Sequence, residues 1–214
     1  MSSHAAARPL RSDASRNRER LVSSARELFA ARGADVTVEE VTRHAGVGMG
    51  TLYRHFPTKD ELVDAVLEDA FGEWVDAARR ALDDPDPWNG FRAYLEHALS
   101  LHAANRALKD AVAGRDAARP RAEAMRARIR PLLRQLVTRA QEQGALRADF
   151  AIEDLPLVFW SSDRVIDATA EVNPQVWRRY LGIVLDGLRA EAATPLPAPP
   201  LTRAEVTRIA RGPR

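Results

Sequence analysis

Three glycines, at positions 46, 48 and 50, are followed directly by aromatic, polar and basic side chains. Tyr53, His55 and Lys59 supply a hydroxyl, an imidazole and an ammonium group within a few residues. Such groups bind phosphate oxygens, and a helix end without bulky side chains can approach base edges in a groove closely. The composition of this stretch therefore predicts that it binds nucleic acid.

The elements around this stretch predict a helix-turn-helix arrangement. Apolar residues recur at helical spacing over residues 21–29, and Gly33 stands where a C-terminal glycine cap belongs. A capping box at residues 37–40 opens a second, short helix, which Gly46 ends. A third short helix is expected over residues 48–56, because the proline that follows disfavours helical backbone in the residue before it.

Each polar position of this module receives an expected role. Leu52 and Phe56 lie one turn apart and are expected to point inward. The positions assigned to phosphate contact are Thr37, Tyr53, His55 and Lys59. The glycine-thinned front that is expected to approach base edges comprises Gly48, Met49, Gly50 and Thr51, with base reading assigned to the last three. Arg43 and Arg54 are expected to add backbone contacts.

The charge distribution fits this interpretation without proving it. Residues 1–60 hold ten Lys or Arg and seven Asp or Glu, a net charge of +3, whereas the remainder carries −1. Residues 1–14 are expected to form a flexible basic arm, and its arginines, with those that follow, can track the DNA backbone or enter the minor groove. Simpler interpretations stay open: glycine-centred helix pairs occur in proteins that bind nothing, and arginine-rich starts are often solvated tails.

The string R-H-A-G-V-G-M-G-T-L-Y-R-H-F-P-T-K-D-E-L resembles the DNA-binding region of TetR-type (tetracycline-repressor-like) transcriptional regulators, and the resemblance extends over residues 18–66. It implies an all-α fold: an N-terminal three-helix helix-turn-helix domain plus a C-terminal helical bundle, about nine helices in total. It also implies phosphate contacts for the four positions named above and base reading at residues 49–51. Gly48 and Met49 depart from the family pattern, in which position 48 is often Ser or Thr and position 49 is often polar or basic.

The rest of the chain continues with helical periods and few strand signals. The expected helices cover about residues 58–81, 87–101, 108–113, 120–143, 152–171 and 173–192. Pro131 is expected to kink or break the fourth of these. The expected domains are 15–62 for DNA binding, 63–193 for ligand binding and dimerisation, and 194–214 for a proline-rich tail that ends in a short capped helix.

The body of the protein has two interpretations, a dimerisation scaffold or, as the family resemblance implies, a receptor with a cavity among its middle helices. The residues that could line such a cavity are Phe71, Trp74, Phe91, Tyr94, Leu101, Met125, Ile129 and Phe159, although many of them could equally be ordinary core. His97 and His102 are expected at the surface. Asp163 is expected to pair with its charged neighbours, to face solvent or to give a pocket its polar element.

The last two helices of the body carry a broad apolar stripe that predicts a homodimer interface. The stripe contains Val176, Trp177, Tyr180, Leu181, Val184, Leu185 and Leu188, and Gly182 and Gly187 allow close approach. Two such helices from each chain would form a four-helix bundle and would place two recognition helices on a palindromic site. The alternative is that the stripe packs only within its own chain.

Several classes of function are disfavoured. The chain has no cysteine, no apolar run long enough for a membrane span and no common catalytic motif, so neither an enzyme, a metal site nor a cofactor is expected, and the cytoplasm is the expected location. The preferred hypothesis is a ligand-responsive DNA-binding transcriptional regulator, a repressor that a small apolar effector releases from a palindromic operator. The alternative is a DNA-binding regulator whose body binds a protein partner.

Overall fold

The computed structural model describes residues 7–104, 118–191 and 193–211, and this part of the chain is almost entirely helical. Its α-helices are α1 (Ala7–Arg32), α2 (Val38–Ala45), α3 (Met49–His55), α4 (Lys59–Leu82), α5 (Pro87–Ala104), α6 (Ala118–Glu142), α7 (Leu155–Thr169), α8 (Val176–Leu188) and α9 (Arg203–Arg211). The predicted all-α class is confirmed. Among the described helices, none has the length and apolar character that crossing a bilayer requires.

The described residues form two compact units, and the division between them falls within α4, between Glu73 and Trp74. The helical pattern placed a boundary within the fourth helix, at 62/63, which is earlier in that helix. The first unit contains α1, α2, α3 and the start of α4. The second contains the end of α4, most of α5 and α6, and the later helices.

Each unit has its own apolar core. Side chains from four helices, and Phe56 directly after α3, meet in the first unit; the helical ones are Leu21, Ala25, Phe29, Val41, Ala45, Leu52, Leu62 and Val66. The larger core of the second unit includes Phe91, Leu95, Leu99, Leu136, Trp177 and Leu181. Burying an apolar side chain of this size contributes about 1.5–3 kcal/mol relative to leaving it exposed, so each unit has its own source of stability.

Three elements differ from the sequence predictions. Residues 7–14, expected in a flexible arm, are helical and extend α1, where Asp13 pairs with Arg16 one turn away. α6 continues through Pro131 without a break, because buried residues on both sides, such as Ile129 and Leu136, hold it against the core. α8 ends earlier than expected, and the predicted helix at 108–113 lies outside the described residues.

The early end of α8 has a visible cause. The backbone after Leu188 is extended and pairs with residues 145–147 in an isolated antiparallel bridge. The N–H of Arg147 donates to the carbonyl of Leu188 at 3.0 Å, and the N–H of Ala190 donates to the carbonyl of Ala145 at 3.0 Å. These bonds satisfy backbone groups that further turns of helix would otherwise have used.

The proline-rich tail is attached to the body through a buried guanidinium. Nε of Arg147 donates to Oδ1 of Asp149 at 2.6 Å, and the same guanidinium donates to the carbonyls of Gly187 and Thr194. The N–H of Leu196 donates to Oδ2 of Asp149 at 3.1 Å. The guanidinium of Arg147 and the N–H of Leu196 stabilise the charged carboxylate and lower the pKa of Asp149 to about 2.

We predict that Asp149→Asn releases the tail, because it removes the charge that Arg147 holds and weakens the acceptor for Leu196. Trypsin should then cleave the arginines of α9 several-fold faster, while Asp83→Asn, at an exposed carboxylate, should leave cleavage unchanged. Since the pKa of Asp149 is lowered in the folded state, its contribution is complete above the usual carboxyl pKa and is lost as the pH falls through about 2. Equal cleavage of both variants would contradict the assignment.

Candidate nucleic-acid interface

The inner face of α3 is fixed by the core of the first unit. Leu52 is fully buried, and Phe56, directly after the helix, is almost fully buried. Both pack with residues of α1 and α2 in one apolar cluster, as the helical wheel predicted. A helix of seven residues is too short to be stable in water by itself. These two contacts therefore hold α3 in place and leave its opposite face to solvent.

The capping box expected before α2 is present in full. Oγ1 of Thr37 accepts a hydrogen bond from the N–H of Glu40 at 3.3 Å, and Oε2 of Glu40 accepts one from the N–H of Thr37 at 2.9 Å. The Thr37 bond, with a 2.7 Å bond from Arg32, lowers the pKa of Glu40. The Thr37 side chain is exposed at the start of α2, where its hydroxyl can reach a phosphate oxygen.

The turn between α2 and α3 requires a glycine. Gly46 has a φ of +64°, which side-chain-bearing residues rarely adopt, and its N–H bonds to the carbonyl of Arg43. A Cβ atom there would also lie 2.9 Å from Nη2 of Arg20. Gly46 therefore has a structural reason to be glycine, as the break expected from the sequence implied.

The two glycines at the front of α3 have no such reason. Gly48, the N-cap residue, has a φ of −77°, and a Cβ atom placed on either Gly48 or Gly50 would meet nothing within 4 Å. Gly50 lies inside the helix, where glycine is about 0.5–1 kcal/mol less favourable than alanine. Gly48 occupies the N-cap, where glycine is favoured over alanine, but nothing in the described part of the chain explains Gly50, so its bareness points to a partner outside the chain.

The outer positions of the module form an exposed polar surface around α3. Tyr53 keeps 48% of its surface exposed, which is high for an aromatic residue in a folded unit. Thr37, Arg43 and Arg54 are exposed as well, and Nη2 of Arg54 donates to Oγ1 of Thr51 at 3.4 Å. Lys59, the first residue of α4, is half-buried.

Two expected contact residues are more enclosed than their neighbours. Met49 is half-buried, and its sulfur lies 3.4 Å from Oγ1 of the buried Thr42. His55 is also half-buried, and its Nε2 has no hydrogen-bond partner within the described residues. Because Nε2 of His55 is buried, a molecule outside the chain could bind only Nδ1 of this ring. For Met49 only the part of the side chain that faces away from Thr42 can meet a base.

The comparisons with known proteins agree with this geometry. The family "Bacterial regulatory proteins, tetR family" matches residues 21–66, and "Transcriptional regulator SbtR-like, C-terminal domain" matches residues 86–190. A solved TetR transcription regulatory protein from Mycobacterium vanbaalenii is 37% identical, with a TM-score of 0.65 over 85% of this chain and 99% of that one. The chain belongs to the TetR family of transcriptional regulators.

Other relatives give the same assignment. A solved TetR transcriptional regulator from Streptomyces coelicolor is 28% identical, with a TM-score of 0.67 over 82% of this chain and 99% of that one. An HTH-type transcriptional regulator of Staphylococcus aureus is 30% identical over 101 residues, which is 46% of this chain; the match spans only 55% of that relative's length. Members of this family are regulators and not enzymes.

The structure distributes the residues expected to bind a ligand between the two units. Phe71 packs against the core of the first unit. The others lie in the second unit: Trp74, Phe91, Tyr94, Leu101, Met125, Ile129 and Phe159. Phe91, Tyr94 and Ile129 are buried in its core, and burial raises the pKa of Tyr94. Trp74, Met125 and Phe159 are only partly buried and lie at the edge of that core.

The surface placement expected for His102 is wrong, although that for His97 is right. The side chain of His102 is 15% exposed and that of Asp163 is 17% exposed, and Nδ1 of His102 lies 2.7 Å from Oδ1 of Asp163. The sequence carried a signal for this position. His102 follows Leu95 and Ala98 at spacings of seven and four, which places it on the buried face of α5.

We predict that Gly50→Ala separates stability from function in this TetR-family module. The free energy of unfolding should rise by about 0.5–1 kcal/mol, because alanine favours the helix, while affinity for duplex DNA falls. Gly46→Ala is the matched control: it should destabilise the fold by about 1–2 kcal/mol, since alanine must adopt left-handed backbone. Urea unfolding and DNA titration measure both. If the Gly50→Ala protein is more stable but binds DNA with unchanged affinity, Gly50 has no role in DNA binding.

Proposed function

We propose that this TetR-family protein is a ligand-responsive repressor that binds a palindromic operator as a homodimer. The single observation that carries the proposal is the front of α3, where Gly48 and Gly50, with open space around their missing Cβ atoms, lie beside the exposed Tyr53. A helix end of this shape can enter the major groove, with its first residues near base edges. The N-terminal amides of α3 also favour phosphate oxygens.

The phosphate-contacting positions frame α3 along the chain. Thr37 stands before α2, Tyr53 and His55 lie on α3, and Lys59 begins α4, so the donors come from three consecutive helices of one unit. Thr37 and Lys59 also lie at the N-termini of α2 and α4, where the positive end of the helix dipole attracts phosphate. Base recognition is assigned to residues 49–51. Met49 forms only weak hydrogen bonds, so the fit of this surface to the base edges contributes more to recognition than hydrogen bonding does.

A homodimer through α7 and α8 has specific support. Trp177, Leu181 and Leu185 of the predicted stripe are buried within their own chain. The next face of α8 is different: Ile183 is 63% exposed, and Tyr180 and Val184 are half-buried. α7 presents a second apolar side chain, since Leu157 is 44% exposed. Exposed apolar side chains on two packed helices are typical of an interface between copies.

The effector response is proposed to pass through α4. Glu73 accepts a bidentate pair of hydrogen bonds from Arg26 of α1 within the first unit. The next residue, Trp74, stacks on His102 within the second unit, with ring centroids 4.6 Å apart. A ligand that favours one arrangement around Trp74 would therefore alter a helix that also carries the α1 contact. It can change operator affinity only by its difference in affinity for the two states.

The proposal predicts that Tyr53→Phe weakens binding to specific and non-specific duplexes by a similar factor. Loss of one hydrogen bond to a charged group costs about 1.5–3 kcal/mol, or about tenfold or more in affinity. The dependence of affinity on salt should not change, because no charge is removed. Fluorescence anisotropy with several duplexes at several salt concentrations measures both quantities.

Met49→Ala is the companion variant for that titration, since it lies one turn from Tyr53 and is assigned to bases. It should change preference at one or two base pairs and leave non-specific affinity nearly constant. A change of sequence preference in Tyr53→Phe, or a uniform loss in Met49→Ala, would show that the two roles are assigned wrongly.

For the dimer, we expect Ile183→Asp to shift the protein from dimer to monomer, because a carboxylate would be buried without a partner at the centre of the interface. Operator affinity should fall with it, whereas far-UV circular dichroism should stay the same. Val172→Asp is the control, since Val172 is 90% exposed and lies between α7 and α8. Sedimentation velocity measures the oligomeric state. If Ile183→Asp remains a dimer, the interface lies elsewhere.

A further inference from the structure

His102 stacks with two aromatic rings in the second unit. Its ring stacks on Trp74 with an interplanar angle of 4° and on Phe159 with centroids 5.6 Å apart and an angle of 20°. Its Nδ1 lies 2.7 Å from Oδ1 of Asp163. Three helices thus supply this cluster, which we call the histidine cluster: α4 gives Trp74, α5 gives His102, and α7 gives Phe159 and Asp163.

The carboxylate fixes which ring nitrogen carries the proton. An ionised carboxylate only accepts hydrogen bonds, so the hydrogen between the two groups belongs to Nδ1 of His102. In the neutral ring Nε2 then carries a lone pair and is an acceptor. Within the described part of the chain, no group donates to Nε2. The lone pair of Nε2 lies in the plane of the imidazole, so a donor must approach Nε2 along the ring edge.

A second polar group on the same face of α7 lacks a partner. Ser162 is fully buried, and its hydroxyl has no hydrogen-bond partner within the described residues. The neighbouring Ser161, by contrast, donates to the carbonyl of Leu157 at 2.8 Å. Ser162 lies three residues after Phe159 and beside Asp163, so it belongs to the helix face that carries the histidine cluster. Buried polar atoms without partners are uncommon and call for a reason.

We infer that the histidine cluster is the polar end of the effector site, and that it takes a small apolar or aromatic molecule carrying a hydroxyl group that donates to Nε2 of His102. This inference rests on the proposed receptor function and names its ligand class. The hydroxyl of Ser162 is a second polar group available on that face.

The test compares two probes by calorimetric titration of the full-length protein: 2-naphthol, whose oxygen carries a hydrogen, and 2-methoxynaphthalene, whose oxygen carries a methyl group instead. The expected result is that 2-naphthol binds about two- to tenfold more tightly, the contribution of one hydrogen bond. His102→Phe keeps an aromatic ring between Trp74 and Phe159 but removes the acceptor, so this difference should vanish. His97→Phe is the matched control on the same helix, and because His97 is exposed, the preference should persist.

Asp163→Asn provides a second variant, because an amide can bond to either tautomer and no longer holds the proton on Nδ1. It should reduce the preference for 2-naphthol without abolishing binding of the ether. The inference is overturned if neither probe binds the wild-type protein, if both bind equally, or if His102→Phe keeps the preference. The receptor proposal is tested separately: compounds that release DNA equally from wild type and His102→Phe would leave it standing while this inference fails.

Discussion

The whole DNA-binding unit depends on the burial of Leu52 and Phe56 beneath a helix that could not exist alone. α3 has seven residues and a glycine at its second position, both of which make an isolated helix unstable. Two buried apolar side chains contribute about 3–6 kcal/mol before entropy is counted. This one-sided anchoring lets the outer face keep a residue that is poor for helix stability, Gly50.

The structure distinguishes three glycines that the sequence alone does not. From the sequence, positions 46, 48 and 50 are three similar signals. In the folded unit Gly46 is required by its positive φ and by Arg20, whereas Gly48 and Gly50 have ordinary backbone and open space around the missing Cβ. Gly50 lies inside the helix, where glycine costs stability, and fills no need within the described residues, so it points to an external contact. The functional argument therefore depends on the contrast among these positions and not on their number.

Sequence patterns predicted most of this fold because local signals decided it. The capping box at Thr37, the break at Gly46 and the stop before Pro57 each act within a few residues, and all appear in the structure. The errors arose where tertiary contacts outweighed local preference. Buried neighbours keep α6 helical through Pro131, and the bridge at Leu146 ends α8 early. The contact between His102 and Asp163 joins residues sixty-one positions apart, a separation across which spacing gives no pairing signal.

The histidine cluster, like Gly50, lowers the stability of the fold. Buried polar groups lower stability unless they are fully bonded, so an apolar core would be the more stable choice at this position. Here an imidazole is oriented by Asp163, enclosed by Trp74 and Phe159, and left with its second nitrogen open in the described part of the chain. Trp74 is also the first residue of the second unit along α4, directly after the residue that pairs with Arg26. Under the receptor proposal, a ligand that bonds to this imidazole would act first on the ring of Trp74, which stacks on it.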